Sequence, residues 1–199
     1  QKNQNAGVRS AASWDAKNLY LAWEVSDATP WRNAADLPEV MYCRGDTVDF
    51  QLGTNLKPHN DALLGDLRLS IGSFQGKPTA VLYRKVADRK NPKVFRSGVV
   101  ASYVMDSVTV LTSAKIQVTV AKNKKGYTVE AAIPFAELGI APKPGLKLHG
   151  DFGVTHSNQA GDDTALRTYW SNQDTGMVSD EVFELQMTPQ NWGELTLSP

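Results

Sequence analysis

The sequence predicts an all-β protein, an antiparallel β-sandwich with one short helical turn, and three observations carry that expectation. Short stretches in which apolar and polar side chains alternate recur along the whole chain. Clusters of Gly, Pro, Asn and Lys separate them at the spacing of hairpin turns. No long helical period intervenes between them.

The clearest strand is Gly45 to Gly53, where Val48, Phe50 and Leu52 point one way and Thr47, Asp49 and Gln51 the other. Asp46 shares the apolar parity and reads as a cap at the strand's start. Such a strand packs a core with one face, and its polar face either meets water or lines a recognition surface. The pattern alone favours water.

Taken in order, Trp14 to Asn18 is a polar turn leading into Leu19 to Val25, whose apolar face is Leu19, Leu21, Trp23 and Val25. From Ser26 to Arg44 the pattern breaks, over a length that marks a shaped, functional loop. Asp66 to Ile71 alternates again, with Arg68 and Ser70 on its polar side. Thr79 to Val86, Val99 to Val104, Val108 to Leu111 and Lys115 to Val120 read as further strands. Gly126 to Ile133 is followed by Pro134 to Gly139, one helical turn opened by proline and stopped by glycine. Leu146 to His156, Thr164 to Ser171 and a last strand after Trp192-Gly193 complete an immunoglobulin-like or jelly-roll-like sandwich.

With 199 residues, 41% of them hydrophobic, the chain is long enough for a single domain spanning residues 1–199 with a substantial core. Lys plus Arg and Asp plus Glu both total 21, so no net charge draws nucleic acid or an anionic membrane. One cysteine, Cys43, excludes an internal disulfide framework and a cysteine-built zinc site. No apolar run reaches membrane-spanning length. The abrupt Gln1-Lys2-Asn3-Gln4-Asn5 start reads as that of a monomeric module cut from something longer.

Catalytic motifs are absent. No Gly-x-Ser-x-Gly elbow occurs, and Cys43 has no catalytic context, which disfavours acyl transfer. Asp49, Asp151 and Glu130 could be paired as glycosidase acids, but a solvated face is the simpler reading of such pairs. Asp27, Asp46, Asp61, Asp162 and Asp163 supply hard oxygens in or beside loops, so a structural calcium ion is physically reasonable, with Asp27 and Asp46 as its nominated ligands.

Aromatic residues say more. Trp23 and Trp192 belong to the core by their neighbours. Trp31, beside Pro30, Arg32 and Asn33, is either a lid over the core or a platform for the apolar face of a sugar ring. Trp170 ends a strand among hydrogen-bonding neighbours, including Arg167 and Asn172, that suit hydroxyl recognition, although a core position is the plainer reading. Asp49, Gln51 and Arg68 would add the carboxylate, amide and guanidinium that saccharide hydroxyls require.

Leu19 to Asp27, Gly45 to Phe50, Gly126 to Leu138 and Tyr169-Trp170-Ser171 resemble, in this order, the family 9 carbohydrate-binding modules and their wider relatives. The resemblance spans nearly the whole chain. It implies a β-sandwich that binds sugars without catalysis, with calcium as a structural ion, inside an exported or cell-surface bacterial protein acting on polysaccharides. Asp49 and Arg68 match the family's acidic and arginine sugar ligands. The paired tryptophans that clamp the sugar fall at Cys43 and Val178, neither aromatic, so Trp31 or Tyr42 would have to supply one wall and Trp170 the other. The same fold resemblance includes haem-binding electron-transfer domains, for which Met41 and His156 would be the ligands, though packing is the commoner role of a lone Met and a lone His. A third class is a structural or protein-interaction sandwich that has given up the clamp.

Overall fold

A computed structural model of the chain describes residues 7–122, 125–174 and 180–198. Its strands are β1 (Gly7–Trp14), β2 (Asn18–Ser26), β3 (Thr47–Gly53), β4 (Leu67–Phe74), β5 (Lys77–Arg84), β6 (Lys93–Phe95), β7 (Tyr103–Met105), β8 (Ser107–Val110), β9 (Lys115–Val120), β10 (Tyr127–Pro134), β11 (Lys147–Ser157), β12 (Thr164–Tyr169) and β13 (Gly193–Thr196). Short helices α1 (Phe135–Leu138) and α2 (Glu181–Leu185) and 3-10 turns at Pro38–Cys43 and Pro189–Asn191 interrupt them. The expected all-β antiparallel sandwich with a short helical turn is what forms.

Two sheets face each other. The smaller has the order β1-β2-β10-β9, and the larger runs β12-β11-β3-β4-β5-β8 with β13 added to the free part of β11. Between them, the predicted inward set Leu19, Leu21, Trp23 and Val25 meets Val48, Phe50 and Leu52, joined by Leu69, Ile71, Val129 and Ile133. The turn predicted after Ile133 is α1, and Gly139 ends it in the left-handed conformation at φ 71°.

A second apolar cluster covers the opposite face of the larger sheet. Met41, Tyr42 and Cys43 from the 3-10 turn, with Val182 and Leu185 from α2, pack with Val81, Tyr83, Phe95, Met105 and Trp192. Strands β3 and β4 are thereby buried on both sides. This corrects the expectation that Thr47, Asp49 and Gln51 turn toward water: they lie beneath a third layer.

Two segments depart from the sequence reading. Gly7–Trp14 had no assignment, yet it pairs along its full length with β2. Val99 to Val104, expected as one strand, contributes only its end to β7, which pairs with the equally short β6.

Candidate functional site

Residues expected on an open polar face form a closed network instead. Arg68, with 0% of its surface accessible, donates Nη2 to Asp49 at 2.5 Å and Nη1 to the Glu184 carbonyl. Asp49 also accepts from Ser70 Oγ at 2.5 Å and from the Tyr169 hydroxyl at 3.1 Å. The Tyr42 ring lies over the guanidinium, 5.3 Å from its carbon, and the Tyr42 hydroxyl donates to the Glu181 carbonyl. Burial opposes the Arg68 charge, but Asp49 beside it raises the Arg68 pKa, so the guanidinium stays charged. Asp49, Arg68 and Tyr42 are therefore internal and form no surface that a saccharide reaches. The expected substitution of a clamp wall by Tyr42 is corrected by its burial between Tyr83 and Arg68.

Trp31 stands half-buried with its ring 4.5 Å from that of Tyr127, closing the edge of the core rather than offering a platform. Cys43 is buried in the second cluster, while Val178 lies outside the described residues. Trp170 departs from the core reading, being 56% exposed.

Gln51, Arg167 and Asn172 do come together. They line one pocket of about 130 Å³ with Tyr169, Asp174, Phe183, Gln186 and Thr188. Three elements build it: β3 and β12 supply Gln51, Arg167 and Tyr169 from the covered face, and α2 lays Phe183 across the top. The α2 turn forms there because Asp180 caps it, accepting from Val182 N at 3.1 Å and Phe183 N at 2.9 Å. Asn172 ties the walls together. Its Nδ2 donates to Thr188 Oγ1 at 2.9 Å, and its Oδ1 accepts from Asn191 Nδ2 and from Asp174 N. Asp151 anchors the same stretch from below by accepting from Ser171 N and Asn172 N. Trp192 Nε1 donates to Gln51 Oε1 at 3.2 Å, which orients that amide with its nitrogen as the donor end.

Tyr169 rests directly on Gly153, where any β-carbon would overlap its ring, and its hydroxyl is fixed by Asp49. The buried ion pair thus stands behind the pocket as the anchor of one aromatic wall. The pocket joins amides, a guanidinium, a carboxylate and a hydroxyl to two aromatic rings, a donor and acceptor set suited to a polyhydroxylated ring.

Asp174, Phe183, Gln186 and Thr188 had no place in the sequence reading. One signal for α2 was available in the Asp180 cap followed by Val182 and Leu185 at helical spacing.

The nominated metal ligands have other partners. Asp46 accepts from Ser157 N at 2.7 Å and Arg32 N at 3.1 Å, and Asp27 accepts from Thr29 and pairs with His156 Nδ1 at 2.9 Å. Among the described residues no three His, Cys, Asp or Glu side chains converge on one point. The carboxylate oxygens of Asp27 and Asp46 are thus engaged by protein donors in this structure. Met41 packs in the outer cluster, whereas His156 shares the parity of Val154, which faces the inter-sheet core, so the larger sheet separates them. The three candidate acids do not pair across a cleft. Asp49 and Asp151 are buried and donor-bound, and Glu130 is exposed on the outer face of the smaller sheet.

No protein-family model matches the chain, nor does any curated protein. Solved structures do. A carbohydrate-binding module of family 9 from Caldicellulosiruptor kristjanssonii in complex with cellotriose is similar over 100% of this chain and 78% of that one, with a TM-score of 0.60 and 17% identity. A family 9 module from the same organism in complex with glucose covers 100% and 80% at a TM-score of 0.55 and 16% identity. A carbohydrate-binding protein, so described provisionally, from Bacteroides uniformis covers 96% and 78% at a TM-score of 0.54 and 11% identity. The chain therefore has the fold of the family 9 carbohydrate-binding modules.

Proposed function

We propose that this chain binds carbohydrate without catalysing its conversion, and that the Gln51–Arg167–Asn172 pocket holds the sugar. The observation that carries this is the convergence of those three side chains with Asp174, Gln186 and Thr188 and the rings of Tyr169 and Phe183 on one pocket. The Gln186 amide and the Asp174 carboxylate offer hydrogen bonds in pairs, matching adjacent hydroxyls, Gln51 and Arg167 present N–H donors, and the rings take the less polar faces of the sugar. At about 130 Å³ the pocket has room for no more than one ring. The ligands named for the structural neighbours, glucose and cellotriose, support the class.

The same reading makes the chain one module of a larger exported or cell-surface protein acting on polysaccharides. No helix among the described residues is long and apolar enough to cross a membrane.

The test is calorimetric titration of the protein with glucose, cellotriose and a panel of xylan and mannan oligosaccharides. Asp174→Ala and Gln186→Ala are the informative variants because both residues sit at the pocket rim without holding the core. Each should weaken binding about tenfold, the loss of one or two hydrogen bonds to a ligand. Unchanged binding in both variants would remove the sugar from this pocket.

A further inference from the structure

The opposite face of β12 carries a feature that the pocket does not use. Alternation along this strand sends Arg167 and Tyr169 to the covered side, and Thr168 and Trp170 to the side facing the smaller sheet. Trp170 is 56% exposed because, among the described residues, the smaller sheet ends at β1 and places no further strand opposite it. The same gap explains why Ser10 and Ala12, which face inward from β1, are exposed. One face of the Trp170 ring lies on Gly193, where a β-carbon would come within 2.5 Å of it. A ring seated on bare backbone is a firm platform whose other face is open.

In front of it is a cleft of about 280 Å³ with a floor of Val8, Phe152 and Leu195 and the hydroxyl-bearing residues Ser10 and Thr168 at its margin. Phe152 and Leu195 also line a second cavity of about 640 Å³ that follows β1 toward Trp14 and Ser198. From Val8 to Trp14 the strand spans about 20 Å at its usual rise. Tyr169 belongs both to this cleft and to the polar pocket, so the two lie on either side of one residue.

We infer that this groove is a second saccharide-binding surface, with Trp170 as its stacking platform, and that it takes a run of linked sugar units. The inference rests on the carbohydrate reading above and extends it to the ligand's length. An aromatic ring with one free face, hydroxyl-bearing residues along an edge and an elongated apolar floor suit the alternating C–H and O–H edges of a linear glycan. The polar pocket has room for no more than one ring, and the groove distinguishes a chain from a single sugar.

Trp170→Ala removes the platform without touching the core, and circular dichroism checks that it folds. Cellotriose should bind this variant about tenfold more weakly, while glucose binds it as it binds the parent. Trp170→Phe should recover part of the loss. Cellotriose should also shield Trp170 from acrylamide quenching in the parent.

If Trp170→Ala binds cellotriose like the parent while Asp174→Ala and Gln186→Ala bind it weakly, the groove assignment falls and the pocket stands. If only Trp170→Ala loses binding, the pocket reading falls and the groove is the site. A parent that binds none of the oligosaccharides overturns both. Uptake of an apolar dye at Trp170 that cellotriose fails to displace would also overturn the saccharide assignment, marking the groove as a site for apolar ligands.

Discussion

Arg68 and Asp49 meet at 2.5 Å on neighbouring strands of the larger sheet, two residues off the direct pairs, with both side chains wholly out of water. Removing either partner leaves an uncompensated buried charge, which costs about 3–5 kcal/mol. Arg68→Ala and Asp49→Ala should each lower the urea midpoint by an amount of that order. The resemblance implies that Asp49 and Arg68 are sugar ligands, and their burial makes them structural residues instead. Replacing both residues with apolar side chains should cost less than either single change.

Stability should fall as pH rises from about 4 to about 7.5. Burial pushes the Asp46 carboxyl up to about 6 from an ordinary 3.8, so the folded chain holds a proton there that the unfolded chain has released. The stability this contributes is fully present below about pH 4, is lost as pH rises through about 6, and amounts to about 3 kcal/mol. Asp151, also raised by burial, acts in the same direction. His59 is raised too, by the Lys57 carbonyl and by Asp66, and its contribution disappears as pH climbs past its folded pKa. Asp27 runs the other way. Burial opposes its ionisation, but hydrogen bonds from His156 and Thr29 hold its pKa down, so its contribution is lost only in more acid solution. Urea midpoints across this range measure the slope, and a rise toward pH 7.5 would contradict it.

Cys43 should be inert in the native protein. Burial pushes its thiol up to about 12, and it sits within the second apolar cluster. A thiol reagent at pH 8 should label it only in denaturant. Rapid native labelling would mean that the 3-10 turn opens over the larger sheet.

Gly153→Ala should disturb the pocket more than the fold. A β-carbon there meets the Tyr169 ring, which must swing away from Asp49. Sugar affinity should drop at least about tenfold while the far-UV spectrum keeps its β signature.

The legible parts of the fold are those set by local alternation. Val48, Phe50 and Leu52 identify β3, and Leu19 to Val25 identify β2, because each buries one face against the same inter-sheet core. Gly7–Trp14 escaped notice because Ala and Ser carry little strand preference, and its pairing with β2 supplies what its side chains do not. The polar face of β3 gave no sign of its cover. Glu184 reaches Arg68 from 116 residues away, and neither residue type announces burial. Gln51, Arg167 and Asn172 were recognisable by chemistry as hydroxyl binders, but their shared pocket depends on α2 and the Asn172 ties to Thr188 and Asn191. Trp170 was misplaced because its exposure comes from the width of the opposing sheet, which no local pattern records.

Side-chain amide NMR during a glucose titration reads directly whether a sugar occupies the Gln51–Arg167–Asn172 pocket. With sugar bound, the amide signals of Gln51, Asn172 and Gln186 move together and saturate, while the Arg68 guanidinium signals stay in place behind Tyr169. Stationary amide signals under saturating glucose and cellotriose would contradict it.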